Sequence, residues 1–107
     1  MERFATVIRL KPEMETEYRA LHQAVWPAVL DTIRACRISN YSIFLKDGFL
    51  FGYFEYHGTD WAADSVRMAA DDATQRWWAL TGPCQEPLAT REPDEWWARM
   101  VEVFHAD

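Results

Sequence analysis

Apolar positions along the chain change period several times, and each change marks a predicted element. In RFATVIRL (3–10) β-branched and apolar residues partly alternate, which predicts a strand. KPEMETEYRALHQAVWP follows, with Pro12 suited to a first helical turn and Glu13, Glu15 and Glu17 complementing the positive end of a helix dipole. A helix from about 13 to 25 is expected. Pro27 disfavours helical geometry at Trp26 and removes a backbone donor, yet helical spacing resumes in PAVLDTIRAC, with Val29, Leu30 and Ile33 on one side. The pattern predicts either a kinked helix or two helices meeting at Trp26 and Pro27.

ISNYSIFLKDGFLFGYFEY (38–56) places two apolar, aromatic runs around Lys46-Asp47-Gly48, a strong hairpin signal because Gly accepts the positive φ of a tight turn. Thr59 or Asp60 can cap a second helix, WAADSVRMAADDATQRWWAL (61–80), with an interruption expected near Asp71 and Asp72. GPCQEPLATREPDE (82–95) carries three prolines and reads as a loop, and WWARMVEVFH (96–105) offers a last strand.

The order β-α-β-β-α-β predicts an α+β, ferredoxin-like sandwich: a four-stranded antiparallel sheet with two helices on one face. One strand breaks the rule that a half-solvated antiparallel sheet alternates cleanly. Phe49, Phe51 and Tyr53 would lie on one face of the third strand and Leu50, Phe54 and Tyr56 on the other. Two helices cover only one face, so a second copy is expected on the other. That gives a sheet-to-sheet homodimer, with a half-enclosed cavity between each sheet and its helices or partner.

Composition narrows the function. A chain of 107 residues, half of them hydrophobic and about a quarter charged, is expected to form one folded domain over 1–107. Its net charge of −6 and scattered Lys and Arg argue against nucleic acid. No apolar run approaches the roughly 20 residues of a membrane span, and MERFATVIRLKPE is broken by charges where a signal peptide would be apolar. The cytoplasm is the expected location, with Cys36 and Cys84 reduced. His22, His57 and His105 show no metal-ligand spacing, and there is no glycine-rich phosphate loop. No metal or cofactor is expected.

Several clusters could carry chemistry. Tyr18, His22 and Trp26 recur every four residues, so in one helix they would form a single stripe. Histidine as a residue type exchanges protons near neutrality. Between aromatic rings it could act as an acid or base on a bound organic molecule, or simply fill space and bond a carbonyl. Asn40 and Tyr41 open the second predicted strand. Neighbouring helical residues diverge by about 100°, so one of Trp77 and Trp78 should be core and the other should face a cavity, an interface or water. Trp96 and Trp97 are expected to pin the proline-rich loop. Glu55 and Glu102 fall in predicted strands, where carboxylates usually face solvent or pair with Arg; either could instead be a second acid or base.

Together these pieces resemble the L-rhamnose mutarotase family. The likeness spans about residues 3 to 105: Tyr18-x-x-x-His22-x-x-x-Trp26-Pro27, Asn40-Tyr41-Ser42-Ile43, Glu55, Arg76-Trp77-Trp78 and Glu102-Val103-Phe104, in the family's order and nearly its spacing. The resemblance implies a dimeric ferredoxin-like isomerase that interconverts the α and β anomers of a 6-deoxy sugar without a cofactor. It implies that His22 is the proton donor, that Tyr18, Tyr41, Trp77 and Trp78 contact the sugar, and that Trp26 with Pro27 fixes the helix presenting them. Ala28 stands where the family is commonly acidic, and TGPCQEPLATREPDEWW (81–97) lacks the methionine-rich character of the rhamnose enzymes. Those departures bear on the sugar, L-rhamnose or L-fucose, more than on the reaction. A cofactor-free monooxygenase and a non-catalytic ligand-binding domain are the competing readings.

Overall fold

Alternation decides the centre of the sheet. The computed structural model describes residues 1–107. In β1 (Glu2–Leu10) Phe4, Ile8 and Leu10 are buried, and in β3 (Phe49–Tyr56) every second residue from Leu50 is buried. The two strands pair antiparallel, setting Phe4 opposite Phe54 and Ile8 opposite Leu50. Opposed residues share a face, and this is the face the helices cover. β2 (Ile38–Lys46) joins β3 through Asp47 and Gly48, whose φ values of 54° and 76° are what the expected two-residue hairpin turn requires.

Both predicted helices are divided. A 3₁₀ turn at Pro12–Met14 leads into α1 (Glu15–His22), and α2 (Pro27–Ala35) begins at the proline itself. Trp26 is extended, with ψ 133°, as residues before proline tend to be. The break therefore starts just after His22, earlier than expected, and Trp26 leaves the stripe of Tyr18 and His22. α3 (Trp61–Ala69) is capped by Asp60, whose carboxylate accepts the Ala63 amide at 3.1 Å. α4 (Asp72–Thr81) is capped by Asp71, which accepts the Thr74 amide at 3.0 Å. The interruption expected near Asp71 and Asp72 is thus a fresh N-cap.

The last strand differs from its expectation over 96–105. β4 (Gln85–Glu86) lies inside the stretch read as loop, β5 (Ala98–Arg99) is equally short, and both pair antiparallel with the remaining edge of β1. The register steps from Arg9 opposite Glu86 to Val7 opposite Ala98, so residues 87–97 loop out of one interrupted edge strand. Proline cannot donate to a ladder, and Pro87 ends β4 at once. Beyond Arg99 the Met100 amide still bonds the Ala5 carbonyl at 2.8 Å. Val101, Val103 and Phe104 are then 87%, 95% and 81% exposed.

The architecture is α+β with the ferredoxin-like β-α-β-β-α-β order, each α written as two helices and the last β as two pieces. On the covered face two apolar clusters sit side by side. One joins Phe4, Ile38, Phe54 and Tyr56, with Phe4 stacked on Phe54 at 4.8 Å and Trp61 against both. The other joins Ile8, Leu10, Tyr18, Leu50 and Cys84. Trp97 packs on this second cluster, lying over Gly52, where a side chain would crowd the Thr6 hydroxyl. On the opposite face Phe49, Phe51 and Tyr53 remain half-buried and Phe44 is exposed.

Candidate active site

A bulge in β2 determines what faces the helices. Ser39 pairs with Glu55 but Ser42 pairs with Tyr53, so Asn40 and Tyr41 together oppose one residue. Such an insertion reverses the alternation of everything beyond it. Ile38 upstream and Tyr41, Ile43 and Leu45 downstream consequently share the helix-covered face. Asn40 tolerates the required φ of 50° and is held by its amide, which donates to Glu55 at 2.7 Å. Asn40 thus presents Tyr41 without touching the cavity itself.

Between that face and the helices lies a half-open cavity of ≈ 620 Å³ in which 13 of 17 lining residues are hydrophobic. Tyr18, His22, Tyr41, Trp77 and Trp78, which come from three separate elements, all line it. Trp77 is 6% exposed and Trp78 42%, the core-and-cavity division expected of adjacent helical residues. Trp26 does not line the cavity; it packs edge-on against Trp77 at 5.3 Å. Glu55 and Glu102 are also elsewhere: Glu55 is tied to Asn40 and to the Tyr53 hydroxyl, and Glu102 accepts from Arg3 at 2.6 Å. Both carboxyls are held below the ordinary carboxylate range by those hydrogen bonds, and neither is an acid or base for this cavity. Their faces follow from register, which the predicted last strand did not supply.

His22 sits at the end of α1, its ring 4.3 Å from Tyr18 and edge-on to Trp77 at 5.4 Å. Its Nδ1 is 2.9 Å from the Tyr18 carbonyl oxygen. A carbonyl only accepts, so Nδ1 carries the proton and Nε2 is the nitrogen left for exchange with a guest. The Tyr18 hydroxyl accepts from the Gln85 side chain at 3.1 Å, and Gln85 in turn accepts from the Trp96 indole at 2.8 Å. Burial pushes the Tyr18 phenol up to about 12, and burial of its hydroxyl raises Tyr41 too, although that residue as a whole is 43% exposed. Both phenols are hydrogen-bonding groups rather than bases at neutral pH.

Gln85 is the residue in contact with the site that sequence reasoning passed over. It lies in a stretch read as loop, and only its pairing opposite Leu10 brings it beneath Tyr18. Trp96 pins the loop, as expected, but does so through a polar bond that reaches the cavity wall.

Comparison with known proteins places the chain in a family and supports its fold. The L-rhamnose mutarotase family model matches residues 3–106. The L-rhamnose mutarotase of Sinorhizobium fredii (strain NBRC 101917 / NGR234) is 37% identical, covering 98% of each chain. That of Burkholderia orbicola (strain MC0-3) is 38% identical over 82% of this chain and 89% of its own. Among solved structures, the L-rhamnose mutarotase of Formosa agariphila superimposes with a TM-score of 0.76 at 22% identity, covering all of both chains. The tetracenomycin F2 cyclase of Streptomyces glaucescens superimposes at 0.70 with 15% identity, also over all of both chains, and shares the fold.

Proposed function

The chain belongs to the L-rhamnose mutarotase family, and from that premise we propose that it interconverts the α and β anomers of L-rhamnose without a cofactor. The observation that carries the proposal is the commitment of His22 Nδ1 to the Tyr18 carbonyl beside a ring-lined cavity. It leaves one imidazole nitrogen, Nε2, as the proton carrier.

The chemistry needs little more. As the C1–O5 bond breaks, protonated His22 gives its Nε2 proton to the ring oxygen, and the anomeric hydroxyl loses its proton. The open aldehyde turns about the C1–C2 bond and closes on its other face, with each proton returned. No carboxylate lines the cavity and both phenols are raised, so water at the open mouth takes the anomeric proton. Acid–base help of this kind is worth roughly 10²–10⁴-fold. Trp77 and Trp78 suit the apolar C–H face and methyl group of a deoxy sugar, while Tyr18 and Tyr41 offer hydroxyls to its own.

Saturation-transfer NMR on L-rhamnose, with L-fucose alongside, tests this. Transfer between the two anomeric protons that depends on the protein and favours one sugar is the expected result; none with either would end the mutarotase reading. A homodimer in the cytoplasm belongs to the same proposal. It is supported by the uncovered Phe44, Phe49 and Phe51 and by the exposed Val101, Val103 and Phe104. Sedimentation should find two copies together at micromolar concentration. No helix here is long and apolar enough to cross a membrane.

A further inference from the structure

We propose that Gln85, locked by Trp96, is a positioning residue that turns the Tyr18 hydroxyl hydrogen into the cavity as a donor to the sugar. The proposal rests on the mutarotase reading above. An indole N–H only donates, so the Gln85 atom 2.8 Å from Trp96 Nε1 is the carbonyl oxygen Oε1. The other end of the amide is then an NH₂ group, and it faces the Tyr18 oxygen at 3.1 Å. Tyr18 accepts that bond and cannot direct its own hydrogen along it.

Gln85 is the hydroxyl's one hydrogen-bond partner, and the neighbouring wall is apolar, built from Ile8, Leu10 and Leu50. The hydrogen is left for a guest oxygen. Gln85 is 6% exposed, so water does not compete freely for the amide. Such a chain of polarised bonds strengthens each member. A free tyrosine could turn its hydrogen either way; this one is fixed before the sugar arrives, which reduces the ordering cost of binding.

Gln85→Glu tests the direction of the bond. An ionised carboxylate accepts from both Trp96 and Tyr18, so it would draw the Tyr18 hydrogen away from the cavity. A protonated carboxyl reproduces the amide, accepting at one oxygen and donating at the other. At pH 8 the exchange rate, as a ratio to the unsubstituted protein, should fall roughly three- to tenfold. As the pH is lowered to 5 the ratio should climb back, because burial raises a carboxyl. Other titrating or charged groups around the position are Tyr18, His22, the burial-raised Cys84 thiol with Glu17 and Lys11 near it, the cross-strand neighbours Arg9 and Glu86, and Glu95 beside Trp96. They are common to both proteins, so the ratio cancels whatever part of their titration the new carboxyl leaves unchanged.

A ratio that is flat with pH, or not reduced at pH 8, would overturn the proposal. If Gln85→Glu does not fold, Gln85→Met of similar volume replaces it. The Gln85→Met loss should be no greater than that of Tyr18→Phe, and the double variant should be no slower than Tyr18→Phe alone. Losses that multiply would show two independent roles and overturn it. Should the unsubstituted protein exchange no sugar, the mutarotase reading fails while the network remains testable. The Trp96 indole proton resonance, assigned by its absence in Trp96→Phe, should move upfield in Gln85→Met; an unmoved resonance would refute the locked amide.

Discussion

Tyr18 and Tyr56 occupy neighbouring clusters on the same face of the sheet and are almost equally buried, at 4% and 2% exposed. Burial therefore says nothing about which of them works. Their hydrogen bonds do. The Tyr56 hydroxyl donates to the Asp64 carboxylate and accepts from the Asp60 amide, so both its capacities are used within the fold. Its cluster is closed, with Phe4 and Trp61 edge-on to its ring and Phe54 stacked on Phe4. The Tyr18 hydroxyl only accepts, from Gln85, and its cluster opens into the cavity. A buried polar group with unspent capacity costs stability unless something fills it, and here a guest is what would fill it.

The largest effect is expected at His22, whose ring stands against Tyr18 in the cavity wall. His22→Asn should slow anomer exchange by about 10²-fold or more. Asn still offers a donor to the Tyr18 carbonyl, so the far-ultraviolet circular dichroism should be unchanged; a near-normal rate would move the proton carrier elsewhere. Tyr56→Phe should do the reverse. It strips a charge-assisted bond from Asp64 and leaves the Asp60 amide without its acceptor, so Tm should fall by roughly 5 °C or more while exchange per folded molecule is retained. Tyr18→Phe should lower the exchange rate roughly three- to tenfold with a smaller fall in Tm, since a neutral bond is lost. If the two tyrosine variants behaved alike, hydrogen-bond capacity would not separate working from structural residues in this protein.

The smallest effect is shared by both clusters. All four tyrosines have phenols raised above their ordinary value of 10, chiefly by burial, with Tyr18 reaching about 12. Between those values the folded chain keeps protons that the unfolded chain has released. Stability is therefore intact below pH 10 and is lost as pH rises toward 12. Chemical denaturation at pH 8 and pH 11 should show a lower midpoint at pH 11, and Tyr18→Phe should narrow the gap. An unchanged midpoint would deny the burial cost.

Much of this was legible in the sequence because the signals are local. Asp47-Gly48 specifies its own turn, Pro27 its own helix start, and the residues 61–80 carry their own second cap at Asp71. The edge of the sheet was not legible. Gln85–Glu86 and Ala98–Arg99 are too short to show a period, and they become strands only because β1 offers them unpaired backbone groups. The β2 bulge is a similar case. Asn40 permits it, but the partner that holds it, Glu55, lies on another strand.

Spacing along the chain settled the order of elements and the pairing of Tyr18 with His22, while Tyr41, Trp77 and Trp78 joined them only through likeness to a family; with both faces of the third strand apolar, it left open which one the helices cover. The order of elements and the pair of Tyr18 and His22 rest on spacing within one segment, where periods of 2 and 3.6 residues are read directly. Tertiary structure alone decided which face the helices cover, that Glu55 and Glu102 lie outside the cavity, and that Gln85 reaches Tyr18. Those outcomes depend on register between strands far apart in the chain. A register is chosen by the summed burial and pairing of the whole sheet, and no single segment carries that sum.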